Sequence, residues 1–249
     1  MTRADTAMLL AAGLGTRMRP LTEHTPKPLL TLGGRALLDY MLDRLGESGV
    51  RRVVVNAHWQ PDQLRAHLAA RTDGPATVLR LEDDLLDTGG AVAAALADGL
   101  LTGEAFFVAN SDNVLLDGPH PALRRMQAAL EPGLEGVILL HRSFQVHSDV
   151  GAGDFFLDPW GTPRRRAERE IAPYVFAGIT LATPALFGPA LSQLKSSRRF
   201  SMNDIWDRAL ALGRLRAVVH DGLWFHLSRP EDLAEAEHAL ATQLTGLTT

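Results

Sequence analysis

The stretch Ala7-Met8-Leu9-Leu10-Ala11-Ala12-Gly13-Leu14-Gly15-Thr16-Arg17-Met18-Arg19-Pro20-Leu21-Thr22, with Pro26-Lys27-Pro28 close behind it, decides how this chain is read. Its first six residues are apolar without alternation and end at turn formers, the pattern of a strand buried on both faces of a parallel sheet. Gly13 and Gly15 follow. They permit backbone with positive φ and carry no side chain to hold a polyanion away from main-chain N–H groups. Arg17 and Arg19 add planar, permanently charged forks, and Lys27, stiffened between two prolines, adds a compact point charge. The segment reads as a strand opening onto a phosphate-binding loop.

The pattern continues outward. Residues 37–45 carry apolar side chains at helical spacing, 50–56 form a second buried run, and 61–70 read as a helix. A strand over 77–81, an Ala-rich helix over 90–100 and a strand over 106–109 extend the alternation. Strand and helix at this pace predict right-handed βαβ units: a Rossmann-like three-layer α/β/α fold with a mixed, centrally parallel sheet and ligands beyond the carboxyl ends of its strands. The second half is less regular. Strands are expected over 137–140 and 175–181, a hairpin or flap over 154–170, and helices over 202–212 and 230–241. Ser201 is expected to cap the first of these helices and the Ser228-Arg229-Pro230-Glu231 run the second. No interdomain linker is evident, so one domain is expected over 1–240, with 241–249 a frayed tail.

Composition narrows the function classes. The 249 residues carry a net charge of −4 and no cysteine. An acidic balance offers no basic stripe for nucleic acid, and disulfides and thiolate metal sites are excluded. No apolar run is long enough for a membrane span and no signal-peptide pattern opens the chain, so a cytoplasmic protein is expected.

The loop is neither a Walker loop, since no Gly-Lys-Ser/Thr follows, nor a dinucleotide fingerprint, since the third glycine is missing. Gly13-Leu14-Gly15-Thr16-Arg17-Met18-Arg19-Pro20-Leu21-Thr22 with Pro26-Lys27-Pro28 resembles the signature of the sugar-phosphate nucleotidylyltransferases. Asn56, Leu86-Asp87-Thr88-Gly89-Gly90, Asn110-Ser111-Asp112, Gly153-Asp154-Phe155 and Phe176-Ala177-Gly178-Ile179 follow in the family's order. The resemblance implies transfer of a nucleotidyl group from a nucleoside triphosphate to a sugar 1-phosphate, releasing pyrophosphate. It implies that Ala12, Gly13, Gly15, Thr16, Arg17, Lys27, Thr88 and Gly89 bind the nucleotide, and that Asn110, Asp154 and Gly178 bind the sugar. Arg17, Lys27 and Asp112 would be the catalytic set, with Asp112 holding Mg²⁺, or Mn²⁺ in its place. The short chain, Gly-Asp-Phe and Phe-x-Gly-Ile make it most similar to the compact branch that joins UTP to N-acetylmuramate 1-phosphate in cell-wall recycling. Other triphosphates of the family (dTTP, GTP or CTP) are the alternative.

Two departures stand out. The family's Glu-Lys-Pro, whose lysine grips the sugar phosphate, is absent, and Arg164-Arg165-Arg166 or Arg169 is the replacement charge at hand. The family's second metal aspartate, near the C-terminus, is His226 here. Imidazole suits softer cations than Mg²⁺. Three readings follow: Asp112 holds the metal with phosphate oxygens and water, His226 being a ligand or lying behind one; Arg229 or protonated His226 replaces the metal's charge; or catalysis is lost and the chain is a nucleotide-binding regulator. The other histidines show no metal-ligand spacing, and the four tryptophans are expected in the core or at a pocket wall.

Overall fold

The computed structural model describes residues 3–146, 148–193 and 199–246. In chain order its elements are β1 (Thr6–Leu10), the short hairpin β2 (Thr31–Leu32) and β3 (Arg35–Ala36), α1 (Leu37–Glu47), β4 (Arg52–Ala57), α2 (Pro61–Ala70), β5 (Ala76–Leu81), α3 (Asp87–Ala97), β6 (Phe106–Asn110) and β7 (Asn113–Leu116). They continue as α4 (Ala122–Ala129), β8 (Gly136–Arg142), β9 (Phe155–Leu157), β10 (Pro163–Arg165), β11 (Tyr174–Ala182), α5 (Pro184–Gln193), α6 (Met202–Ala211), β12 (Leu215–Val219), β13 (Leu223–His226) and α7 (Pro230–Gly246).

The apolar runs become the middle of one sheet. β5, β4, β1 and β6 lie side by side and parallel, and β11 joins β6 antiparallel. β11 also pairs with β8, which carries β12, and with the β9–β10 hairpin. Successive side chains of each central strand feed opposite cores, as a two-residue period requires. Leu9, Val53, Val55 and Phe107 pack under α1, α2 and α4, while Met8, Val54, Phe106 and Val108 pack under α3, α5 and α6. Each such side chain, almost wholly withdrawn from water, contributes about 1.5–3 kcal/mol. Burial on both faces is what the unbroken apolar runs encode, and the result is the expected three-layer α/β fold.

A third, smaller core lies beneath the glycine loop. Met18, Leu30, Leu32 and Leu37 meet Val114 and Phe225 of the two-stranded β7–β13 ribbon, Leu227 just beyond it and Ala236 of α7. It fastens the loop to the C-terminal part of the chain.

Several expectations shift. β1 stops at Leu10, not Ala12, because Ala11 N–H is taken by the Asn56 side chain. α3 begins at Asp87, and α4, α5, β7, β12 and β13 are additional. The hairpin expected over 154–170 is β9–β10. Ser201 and Asp204 form a reciprocal capping box on α6. At α7 the expected cap is reversed, since the Asp232 carboxylate accepts from Ser228 and Arg229 N–H. α7 runs on to Gly246 and so takes in 241–246 of the expected tail, and the remainder, 247–249, lies outside the described residues. Trp160, expected in the core or a pocket wall, is exposed at the β9–β10 turn.

Candidate active site

The parallel strands deliver their carboxyl ends to one edge, and the site is built there. Leu10 and Asn110 are register partners, so β1 and β6 end level. Ser111 locks them together: its N–H and Oγ–H both donate to Leu10 O, at 3.1 and 2.6 Å. From the other side, Asn56 at the end of β4 accepts from Ala11 N–H at 2.7 Å and donates to buried Glu82 at 2.8 Å. Glu82 in turn accepts from Leu86 N–H. The loop's first residue is therefore tied across three strands.

Gly15 turns the chain with φ +61°, and a Cβ there would crowd Thr22 and Lys27 at 3.0–3.3 Å. Gly13, by contrast, does not use positive φ, and nothing lies within 4 Å of where its Cβ would be. Its contribution is open space. Around this loop lies a cavity of about 480 Å³. Ala12, Gly13, Gly15, Thr16, Arg17, Lys27, Thr88, Asn110 and Asp112 all line it. Lys27 Nζ donates to Asp112 Oδ2 at 2.5 Å, with only 12% of the lysine and 31% of the aspartate side chain exposed. Partial burial strengthens such a pair. Backbone N–H groups, Arg17, Lys27 and a carboxylate thus converge on one cavity, the equipment for binding and rearranging polyphosphate.

A second cavity of about 370 Å³ adjoins the first, sharing Leu10, Asp87, Thr88 and Asn110 with it. Its walls include Asp154, whose carboxylate accepts from Phe176 N–H at 2.8 Å, and Gly178. Gly178 interrupts the β8–β11 register with φ +76° and lets the chain pass Asn113, whose side chain donates to Ala177 O at 3.0 Å. The Phe176 and Trp206 rings meet at 4.5 Å, tilted by 60°, and Arg165 completes a wall. Thr180 Oγ1 and Trp206 Nε1, both on residues lining this cavity, have no hydrogen-bond partner among the described residues. Aromatic faces with hydroxyl-sized polar groups and a carboxylate suit a sugar.

Two expected site residues stand elsewhere. Gly89 is buried off both cavities; its N–H donates to Phe200 O, and a Cβ would strike Phe200 and Ser201 O at 2.7 Å. It is glycine for close packing. His226 lies beside Asn113 in the β7–β13 ribbon, its ring 5.4 Å from that of Trp224 and tilted by 41°, and its Nε2 pairs with Ser228 Oγ at 2.8 Å. Ser228, not His226, lines the cavity. Burial pushes the imidazole below its ordinary range; Asp112 opposes the fall and Lys27 adds to it. Burial thus works against the charge that the reading with a protonated His226 requires. Among the described residues no three His, Cys, Asp or Glu side chains converge as a metal cage, and no helix is long and apolar enough to cross a membrane.

Sequence reasoning passed over Glu82, Arg199, Asn203 and the wall role of Asp87, all of which line one cavity or both. Asp87 alone carried a signal, standing beside Thr88.

Residues 7–202 match the model of the MobA-like NTP transferase domain. The chain is 39% identical over 245 residues to N-acetylmuramate alpha-1-phosphate uridylyltransferase of Caulobacter vibrioides, covering 94% of this chain and 96% of that one. It is 30% identical over 236 residues to the enzyme of the same name from Neisseria meningitidis serogroup B, covering 93% and 96%. A solved UDP-glucose pyrophosphorylase complexed with UDP-glucose superposes with a TM-score of 0.78 over 96% of this chain and 99% of that one; at 16% identity it speaks to the fold alone. The chain belongs to the MobA-like NTP transferase family. It is a sugar-phosphate nucleotidyltransferase.

Proposed function

We propose that the chain joins UTP to N-acetylmuramate 1-phosphate, forming the UDP-sugar and pyrophosphate in cytoplasmic cell-wall recycling. One observation carries the chemistry: a polyphosphate cavity with paired Lys27 and Asp112 opens, across Thr88 and Asn110, into a sugar-sized cavity holding Asp154. Two relatives that match nearly end to end share the named substrate and nucleotide, which supports this choice over dTTP, GTP or CTP.

The reaction needs no side-chain nucleophile. An oxygen of the sugar 1-phosphate, already ionised, attacks the α-phosphorus as the bond to the β-phosphate oxygen breaks, and pyrophosphate carries away that electron pair. The protein positions two polyanions and offsets their charge. Main-chain groups from Ala12 to Thr16 face the triphosphate, Arg17 balances the departing pyrophosphate, and Lys27 bridges the two phosphates. Asn110 and Asp154 orient the sugar hydroxyls, beside the open strand backbone at Gly178.

The residues fit a divalent cation of the Mg²⁺ kind, which takes one or two carboxylates and completes its shell with phosphate oxygens and water. Asp112 would hold it, with His226 behind Ser228 and not a direct ligand. When bound, such an ion neutralises triphosphate charge; Mn²⁺ would serve similarly.

The test is pyrophosphate release with UTP, dTTP, GTP and CTP against N-acetylmuramate, N-acetylglucosamine, glucose and mannose 1-phosphates, with Mg²⁺ or Mn²⁺. Highest kcat/KM for UTP with N-acetylmuramate 1-phosphate is the expected result. Preference for another pair overturns the substrate choice. Nucleotide binding with no turnover across the panel returns the regulatory reading.

A further inference from the structure

The three consecutive arginines of the β9–β10 hairpin have separate fates. Arg164 is exposed, paired with Glu170 and lying over the Phe156 ring. Arg166 is spent on backbone, donating to Gly153 O, Ala167 O, Glu168 O and Glu170 O. Arg165 alone of the three lines the sugar-side cavity. Its guanidinium lies over Phe155 and Trp206, 5.1 and 5.9 Å from the ring centres. From α6, Asp207 takes the Nε–H, and Asn203 Oδ1 accepts from Nη2 at 2.9 Å. Nη2 also reaches Asn203 O at 3.5 Å, and Nη1 makes no hydrogen bond to the described residues. One edge of the fork is thus anchored and Nη1 at its end is open, which sets a fixed positive charge and a free donor where a carboxylate can take a charge-assisted hydrogen bond.

The location separates this arginine from the phosphate chemistry. Lys27, Arg17 and Asp112 line the neighbouring cavity and not this one, whereas Arg165 lines only this one. The sugar cavity otherwise presents carboxylates, Asp154 and Asp87, which receive hydroxyls and repel an acidic substituent. Among the described residues that line this cavity, an anionic group on the sugar has one cationic side chain to meet. We infer that Arg165, held by Asp207 and Asn203, is a specificity residue that binds a carboxylate borne by the sugar ring, selecting an acidic sugar 1-phosphate over its neutral parent.

This deepens the proposed function and rests on it, since N-acetylmuramate is N-acetylglucosamine with a carboxylate-bearing lactyl ether. The experiment measures kcat/KM for N-acetylmuramate 1-phosphate and N-acetylglucosamine 1-phosphate on wild type, Arg165→Gln and Arg165→Lys, with UTP. The ratio of the two values on one preparation is independent of the fraction of active protein. Losing a charge-assisted hydrogen bond should lower that ratio about 10- to 100-fold in the Gln variant. The Lys variant keeps the charge without the fork and should lower the ratio several-fold; it stands in if the Gln variant fails to fold. A ratio within twofold of wild type in both variants overturns the role of Arg165 alone, and so does an equal fall for both sugars, which would put Arg165 on the shared 1-phosphate. A wild type that turns over only the neutral sugar overturns the proposed substrate as well.

Discussion

Replacing Gly178 by alanine tests the sugar-side wall at its tightest point. The residue has φ +76°, and a Cβ would fall 1.5 Å from Asn113 Nδ2. Left-handed backbone costs an alanine about 1–2 kcal/mol. The Cβ also forces the Asn113 side chain, buried within the protein, to leave its 3.0 Å bond to Ala177 O. Stranding that amide and carbonyl costs about 1–3 kcal/mol, and the repacking about 1–3 more. The total of about 3–8 kcal/mol is a large share of the stability of about 5–15 kcal/mol typical of a domain. Urea unfolding at 25 °C, read at constant m, should therefore show a loss of at least about 3 kcal/mol. Asn113→Ala removes the obstructing atoms, so in that background Gly178→Ala should cost measurably less than it does alone, a coupling of about 1–2 kcal/mol. Strict additivity, or a single-variant loss below about 1 kcal/mol, would refute the steric argument.

Three further outcomes are expected. Lys27→Ala and Asp112→Ala should each lower kcat about 10²-fold or more while circular dichroism stays unchanged, since each removes charge aimed at the reacting phosphates; near-normal turnover of the Asp112 variant would remove the metal assignment. Chelation with EDTA should abolish pyrophosphate release, with recovery on adding Mg²⁺ or Mn²⁺; turnover that persists in metal-free buffer contradicts a metal-assisted reaction. His141 and His220 are buried 5.8 Å apart, and burial holds both imidazoles below their ordinary range. The folded state then binds fewer protons than the unfolded one below about pH 6.5, so stability should be full above that pH and fall on acidification, by up to about 1.4 kcal/mol per unit for each histidine. Urea unfolding at pH 7.5 and 5 should show a slope that His220→Leu makes shallower, and an unchanged slope would locate the acid sensitivity elsewhere.

The first strand and its loop were legible because each step there is local. An apolar run needs burial on two faces, the glycine turn follows within three residues, and Lys27 is fixed by its flanking prolines. The sheet's centre was legible for the same reason. Long-range hydrogen bonds were not. Glu82 reads as the start of a charged loop, yet it is buried because Asn56 on a neighbouring strand needs an acceptor while holding Ala11. Gly89 looks like an open helix start, but its N–H belongs to a carbonyl at Phe200, far along the chain. The difference between Arg164, Arg165 and Arg166 depends on hairpin register, which pairs Arg165 with Phe155 and Arg164 with Phe156. Nothing in three identical letters specifies that.

The same long-range devices explain how one carboxylate is placed where the family pattern leads one to expect two. Asp112 follows Ser111, which is clamped to β1, and precedes Asn113, which is buried against Ala177 and Gly178. Its backbone is thus gripped on both sides, by the strand that feeds the phosphate loop and by the strand that walls the sugar cavity. Lys27 is gripped independently, on a turn whose neighbours Leu30 and Leu32 sit in the third core with Met18. An ion pair between two such anchors has its geometry set by packing, so little side-chain entropy remains to be lost when substrate arrives. Asn113 thus stands between Asp112 of one cavity and Gly178 of the other, and Gly178→Ala, which must displace its side chain, strains the backbone beside Asp112.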